Sequence, residues 1–289
     1  MHSVLWTLLV IAVPVSAAFG GEWGEVRWKP REVQQGEALY VEVQTKTRIS
    51  LIEGDLDGSP ILFYEREGGG RAGIAGVDLA ASPGLHPLRV RVQDLKGRPS
   101  KVMFQVKVKK GQFVVQRLTL PREKVELKGK ILKRVLRENK KVKAVLGKAR
   151  PKKFWHSPFI RPVDGSITGA FGLRRILNNR PRSPHSGVDI GAPLGTKVSS
   201  CNDGIVVFAQ ELYLGGNTVI IDHGLGLYSM YMHLAEIWVK DGAQLRVGDI
   251  IGLVGATGRV TGPHLHWGVR LMGARIDPFS LLRLFAPGE

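Results

Sequence analysis

The chain has 289 residues, enough for two ordinary domains, and its 43% hydrophobic content is that of a globular core, which excludes a disordered chain. A net charge of +17 favours polyanionic surroundings (nucleic acid, acidic lipid or an anionic cell wall), and a single cysteine, Cys201, excludes an intramolecular disulfide. With 36 Gly, 16 Pro and only 7% aromatic residues, the composition predicts a mostly β protein of short strands and tight turns.

Residues 1–18 read as a secretory signal peptide. Val4 to Ala18 is apolar, is broken by Pro14 and ends in Ser16-Ala17-Ala18, which places cleavage after Ala18. The run falls short of the about 20 apolar residues that a membrane span needs. Export implies a periplasmic or secreted protein and makes nucleic acid the least suitable of the three polyanions.

Between residues 22 and 110, apolar and polar residues alternate in short runs. Leu39, Val41 and Val43 form one, Leu88, Val90 and Val92 another, and Val102, Phe104, Val106 and Val108 a third. Ile49–Ile52, Ile61–Tyr64 and Arg71–Asp78 add further candidates, giving about seven strands and predicting an immunoglobulin-like β-sandwich without its disulfide. His86 is the one histidine there, so this region reads as a spacer, shield or docking module rather than as an enzyme.

Residues 111–153 form a basic connector. Pro121 to Arg150 holds twelve Lys or Arg against three Glu, and Leu132, Val135, Val142 and Leu146 fall on one helical stripe. An amphipathic helix is expected to pack on a neighbouring domain. Its charged side is either a solvated face or a contact with an anionic wall or membrane, and spacing does not choose between them.

From residue 154 to 286 glycine-punctuated strands resume, at Gly204–Ala209, Asn217–Asp222, Gly226–His233, Gly248–Val254 and His264–Leu271. Six of the eight histidines lie between His156 and His266. His264 and His266 are two apart in a strand-like run and so point to one face. His185 and Asp189 are four apart, but Pro184, Gly187, Gly191 and Pro193 argue against a helix, so an irregular strand must bring them together. Imidazole and carboxylate suit zinc, and one further imidazole would leave a position open for water, the layout of a catalytic rather than a structural site. Zinc lowers the pKa of bound water toward about 7, after which a general base and an oxyanion donor are still required. No HExxH sequence supplies a glutamate, so His233 and one member of the 264/266 pair are the natural substitutes.

The motifs HSGVD at His185 to Asp189, YMHL at Tyr231 to Leu234 and GPHLHWGV at Gly262 to Val269 together resemble the lysostaphin/LytM-type zinc metalloendopeptidases, which cut peptide cross-links in bacterial peptidoglycan. The resemblance runs from about Pro162 to Pro278 and includes DGSITGAFGLR and GATGRVTGPHLH. It implies a glycine-rich antiparallel β catalytic domain, zinc ligands His185, Asp189 and His266, and catalytic imidazoles His233 and His264. Its implied substrate is the stem and cross-link peptides of peptidoglycan in the bacterial envelope.

His223, before Gly224 at a strand end, is expected to be mainly structural, and His156 has no assigned role. A cysteine peptidase built on Cys201 would need a lowered thiol pKa, whereas Val198 to Gly204 reads as strand and turn, so Cys201 is expected to fill a core position. The alternative to an enzyme is a non-catalytic wall-binding regulator that activates amidases, a role taken by degenerate relatives that typically lack the metal ligands. An adhesive protein would leave the His and Asp set unexplained.

Overall fold

The computed structural model describes residues 19–21, 23–118, 127–178, 180–181 and 183–286. The segment 1–18, expected to be a signal peptide, lies outside the described residues. The described chain is mostly β, as its composition predicts.

Two five-stranded sheets come first. In one, Phe19–Gly21, Gly24–Lys29, Ala38–Thr45, Arg71–Gly76 and Tyr64–Glu65 lie side by side, and in the other Glu32–Gln34, Pro99–Lys109, Gly84–Asp94, Ile49–Leu56 and Ser59–Ile61. Alternating side chains of both sheets meet in one core. Leu39, Val41 and Val43 from the first are buried with Leu88, Val90, Val92, Val106 and Val108 from the second. The expected Ile61–Tyr64 strand does not form. One strand ends at Ile61 and another begins at Tyr64, in the opposite sheet.

The connector differs from expectation in two ways. It contributes a strand as well as a helix: Val115–Leu118 pairs in parallel with Arg174–Leu177, which turns back to Arg180–Pro181. Its helix spans Gly129–Leu146; Val135 is its buried residue, and Val142, Val145 and Leu146 pack against Phe208, Leu212, Ile220, Tyr228 and Met230 of the large sheet. Leu132, expected on the buried stripe, is 39% exposed, because the first two turns carry Ile131, Leu132 and Leu136 out into solvent. Glu138 fixes the helix from its middle by accepting from the Tyr213 amide, 2.8 Å, and from Arg134 Nε, 2.6 Å, while the Tyr228 hydroxyl donates to the Lys148 carbonyl beyond its end.

The rest of the chain forms a ten-stranded sheet. Its spine runs Ser166–Gly169, Gly187–Gly191, Leu265–Leu271, Leu227–Ile237, Gly216–Gly224, Gly204–Leu212 and Gln244–Leu245. Lys197–Ser199 pairs with Ile250–Val254, which joins Leu227–Ile237, and Ala274–Ile276 pairs with Leu265–Leu271. Trp267, Tyr231, Ile221, Leu234 and Val188 are buried in its core. The short helix Pro278–Leu284 is capped by the Asp277 carboxylate, which accepts from the Phe279 amide at 3.0 Å, with Pro278 in its first turn.

The sandwich and the large sheet are bonded to each other. Asp78 takes Arg275 Nε at 3.0 Å, Nη2 at 2.5 Å and the Arg275 amide at 2.8 Å, and the Ala38 amide donates to Ser280 Oγ at 2.9 Å. Burial works against the charge on Asp78, but Arg275 outweighs it and brings its pKa down to about 2.

Candidate active site

Three neighbouring strands of the large sheet build the site by register. Asp189 on Gly187–Gly191 lies directly opposite His266 on Leu265–Leu271, and His266 lies opposite Met232 on Leu227–Ile237. Residues opposite each other share a face. His264, two residues before His266, keeps to that face as alternation requires. It sits just outside the strand, where its amide donates to the Gly255 carbonyl at 3.2 Å.

His233 reaches the same face by breaking the alternation. From the opposite position of Met232, the following residue should point with Tyr231 into the core. An extra residue in the strand, between the pairs Val219↔Tyr231 and Asn217↔Leu234, makes a bulge, and His233 occupies it with φ +67°. That left-handed backbone turns the imidazole over, 4.9 Å from the His264 ring and 6.1 Å from that of His266, measured between ring centres.

His185 precedes its strand, held by two backbone bonds: its amide donates to the Leu173 carbonyl at 3.0 Å and its carbonyl accepts from the Gly172 amide at 2.8 Å. Its Nε2 lies 3.0 Å from Asp189 Oδ1 and 3.0 Å from His266 Nδ1, and His266 Nδ1 lies 2.8 Å from Asp189 Oδ1. His264 Nε2 is 3.8 Å from the same oxygen. All five residues singled out from sequence therefore fall in one place.

Carbonyl oxygens fix how these rings face. His185 Nδ1 donates to Ala170 O at 2.8 Å, His233 Nδ1 to Thr257 O at 3.0 Å and His264 Nδ1 to Gly262 O at 2.9 Å. In each neutral ring the Nε2 lone pair is then the free one. His185 Nε2, Asp189 Oδ1 and His266 Nδ1 thus form a set of three converging acceptor atoms, and this cluster can hold a metal ion. Acceptors so close repel unless they share a cation, either a proton on an imidazole or a metal, so the donor set fits a metal ion. Burial opposes the charge of Asp189, but the contacts of its carboxylate with the His185 and His266 rings outweigh it and hold the carboxyl far below the usual carboxylate range. Burial lowers the His266 pKa and brings that of His233 down to about 4, leaving the His233 ring neutral at pH 7.

The groups that orient these side chains carry no chemical signature of their own in the sequence. Gly169 lies at a bulge opposite Asp189, where an added Cβ would stand 2.3 Å from Asp189 Oδ2, so the carboxylate position requires glycine there. Ala170 and Thr257 act through backbone oxygens, which no residue type announces. The glycine-rich runs DGSITGAFGLR and GATGR, which contain these three residues, were the available signal.

The remaining histidines lie elsewhere. His156 is exposed beside Asp203, and His86 bonds Asp57 and Ser82 in the sandwich. His223 is fully buried, with Nδ1 donating to Asp203 O at 2.7 Å and Nε2 accepting from Ser229 Oγ at 2.7 Å. Cys201 is buried against it, and burial pushes its thiol up to about 11, the opposite of an activated nucleophile. Burial also pushes His223 down to about 4 from an ordinary value near 6.5. Its stabilising effect is complete above pH 6.5, where the unfolded chain is also neutral, and is lost as pH falls through 4. Moving the ring's pKa from its ordinary value to about 4 corresponds to about 3 kcal/mol. Denaturant titrations of the wild type should lose stability over that window, and His223→Gln should flatten the loss. An equal pH slope in the variant would assign the acid sensitivity to another group.

The chain matches known proteins over this region. The model of Peptidase family M23 matches residues 183–278. Peptidoglycan DD-endopeptidase ShyA of Vibrio cholerae is 41% identical over 119 residues, covering 40% of this chain and 28% of that protein. DD-carboxypeptidase/endopeptidase Mpg of Neisseria meningitidis is 41% identical over 135 residues, covering 41% of this chain and 31% of that protein. The chain thus spans less than a third of the length of these relatives. A solved structure from Pseudomonas aeruginosa, described as a putative peptidase M23, is 31% identical with a TM-score of 0.66, covering 87% of this chain and 95% of that one. Extending across sandwich, connector and large sheet alike, that likeness makes the chain a member of peptidase family M23.

Proposed function

We propose that the protein is a zinc-dependent endopeptidase that hydrolyses peptide cross-links of bacterial peptidoglycan and works in the cell envelope. The observation that carries this reading is the convergence of His185 Nε2, Asp189 Oδ1 and His266 Nδ1 within 3.0 Å of one another, with His233 and His264 on the same face. The printed activities of the relatives, DD-endopeptidase and DD-carboxypeptidase/endopeptidase, support the substrate class.

In this reading His185, Asp189 and His266 hold the metal, and His233 and His264 are the catalytic residues. Zinc held there supplies Lewis acidity for the scissile carbonyl and lowers the pKa of a water toward about 7. His233, neutral and with Nδ1 committed to Thr257 O, offers Nε2 to take a proton during attack and return it to the leaving amine. His264, with Nδ1 committed to Gly262 O, presents Nε2 to the same space and, once protonated, donates to the developing oxyanion. The Ala170 and Thr257 carbonyls keep the rings from turning away.

Incubation with purified sacculi, followed by mass spectrometry of the soluble products, is expected to show cross-linked dimers converted to monomers. A chelator should stop the release and added zinc should restore it. Intact dimers after incubation with zinc would overturn the proposal and favour a wall-binding regulator.

The outer side of helix Gly129–Leu146 presents Lys130, Lys133, Arg137, Lys140, Lys141 and Lys143 to solvent. We propose an anionic wall or membrane surface as its partner. Replacing Lys140, Lys141 and Lys143 by Gln should weaken sacculus binding several-fold at low salt and little at high salt. Unchanged binding would make this a solvated face only.

A further inference from the structure

The connector strand was not expected from the sequence, and its position bears on the site. Val115–Leu118 pairs with Arg174–Leu177, and the Arg174 amide donates to the Val114 carbonyl at 2.9 Å. Just before it, the Phe113 ring lies on Gly172. That residue has φ +75°, and an added Cβ would stand 2.1 Å from Phe113 Cδ1. Phe113 also meets the Phe171 ring edge to face, 6.3 Å between centres, and the Arg174 guanidinium covers it at 5.6 Å. Phe171 is backed in turn by Gly36 of the sandwich, where an added Cβ would stand 2.2 Å from the Phe171 ring.

Ala170 to Leu173 is the turn that holds His185. Ala170 O receives His185 Nδ1–H, Leu173 O receives the His185 amide, and the Gly172 amide donates to His185 O. Among the described residues, the hydrogen bonds that hold His185 outside the acceptor cluster come from Ala170, Gly172 and Leu173, and the faces of Phe171 and Gly172 are covered by Phe113 and Gly36.

We propose that Phe113, carried by the connector, is a positioning residue for His185, so that the segment joining sandwich and catalytic sheet sets the affinity of the site for its metal. The proposal rests on the reading that His185 is a ligand. A surface turn bonded to one strand alone fluctuates, and each departure of the Ala170 carbonyl frees the imidazole to rotate. An aromatic ring seated on a position that only glycine can occupy removes that freedom without touching the metal.

The test is zinc affinity, measured on the full chain by competition with a chromophoric chelator. His185→Ala should bind more than about 100-fold more weakly than wild type, beyond the range of outer partners. Phe113→Ala should bind about 10-fold more weakly, and Phe113→Leu, which keeps an apolar side chain on Gly172, should recover most of the loss and bind about 2- to 3-fold more weakly than wild type. Phe104→Ala, which removes a ring packed on Trp28 in the sandwich, should bind as wild type does and so controls for general loosening. If His185→Ala binds normally, the ligand reading fails. If His185→Ala loses zinc while Phe113→Ala keeps wild-type affinity, the positioning role fails. Should Phe113→Ala not fold, Phe113→Leu decides: a measurable weakening supports the role, and wild-type affinity overturns it.

Discussion

Substituting His266 by alanine is expected to remove zinc and reduce muropeptide release from sacculi to background. His266 is the central residue of the cluster: its Nδ1 is 2.8 Å from Asp189 and 3.0 Å from His185, and its strand lies between those carrying Asp189 and His233. Without it, two of the three proposed ligands remain, one of them on an irregular segment. Loss of an outer partner costs about 10–100-fold in metal affinity, and loss of a ligand itself should exceed that range. The fold should survive, because the strand's burial is carried by its neighbours Leu265, Trp267 and Val269, all 0% exposed. The variant should therefore combine near-native circular dichroism with absent metal. Metal analysis and product mass spectrometry check the two halves separately, and wild-type zinc content in the variant would sink the assignment of His266.

The strand pattern and the identity of the chemical groups were legible in the sequence because both follow from local rules. Alternation at Leu39, Val41 and Val43 or at Leu88, Val90 and Val92 marks a buried face irrespective of what packs on it. The shared face of His264 and His266 follows from the same rule. Leu132 shows where this stops: its stripe position was right for a helix, but burial depends on how far the partner sheet extends beneath the first turn. The Val115–Leu118 strand was illegible because four residues of mixed character acquire their conformation from the strand they pair with. Ala170 and Thr257 were illegible as site residues because their carbonyls act, and any residue would supply one there.

His233 exposes the limit of alternation most clearly, and its replacement by asparagine should separate metal binding from turnover. Strict alternation places residue 233 beside Tyr231 in the core, and only the bulge with φ +67° brings it to His264. Asparagine tolerates left-handed backbone better than other residues with side chains, so His233→Asn keeps the bulge and removes the imidazole. A β-branched residue would add strain to the loss and confuse the two. The variant is expected to retain zinc, since no ligand bond passes through His233, and to lose about 100- to 10,000-fold in turnover, the range of a positioned general base. His264→Ala should behave likewise, keeping metal and losing turnover, because His264 stands 3.8 Å from Asp189 and outside the acceptor triad. Zinc lost from His264→Ala but kept in His266→Ala would mean that the strand pair had been assigned in reverse. Full turnover in His233→Asn would remove His233 from the chemistry and leave proton transfer to His264 alone.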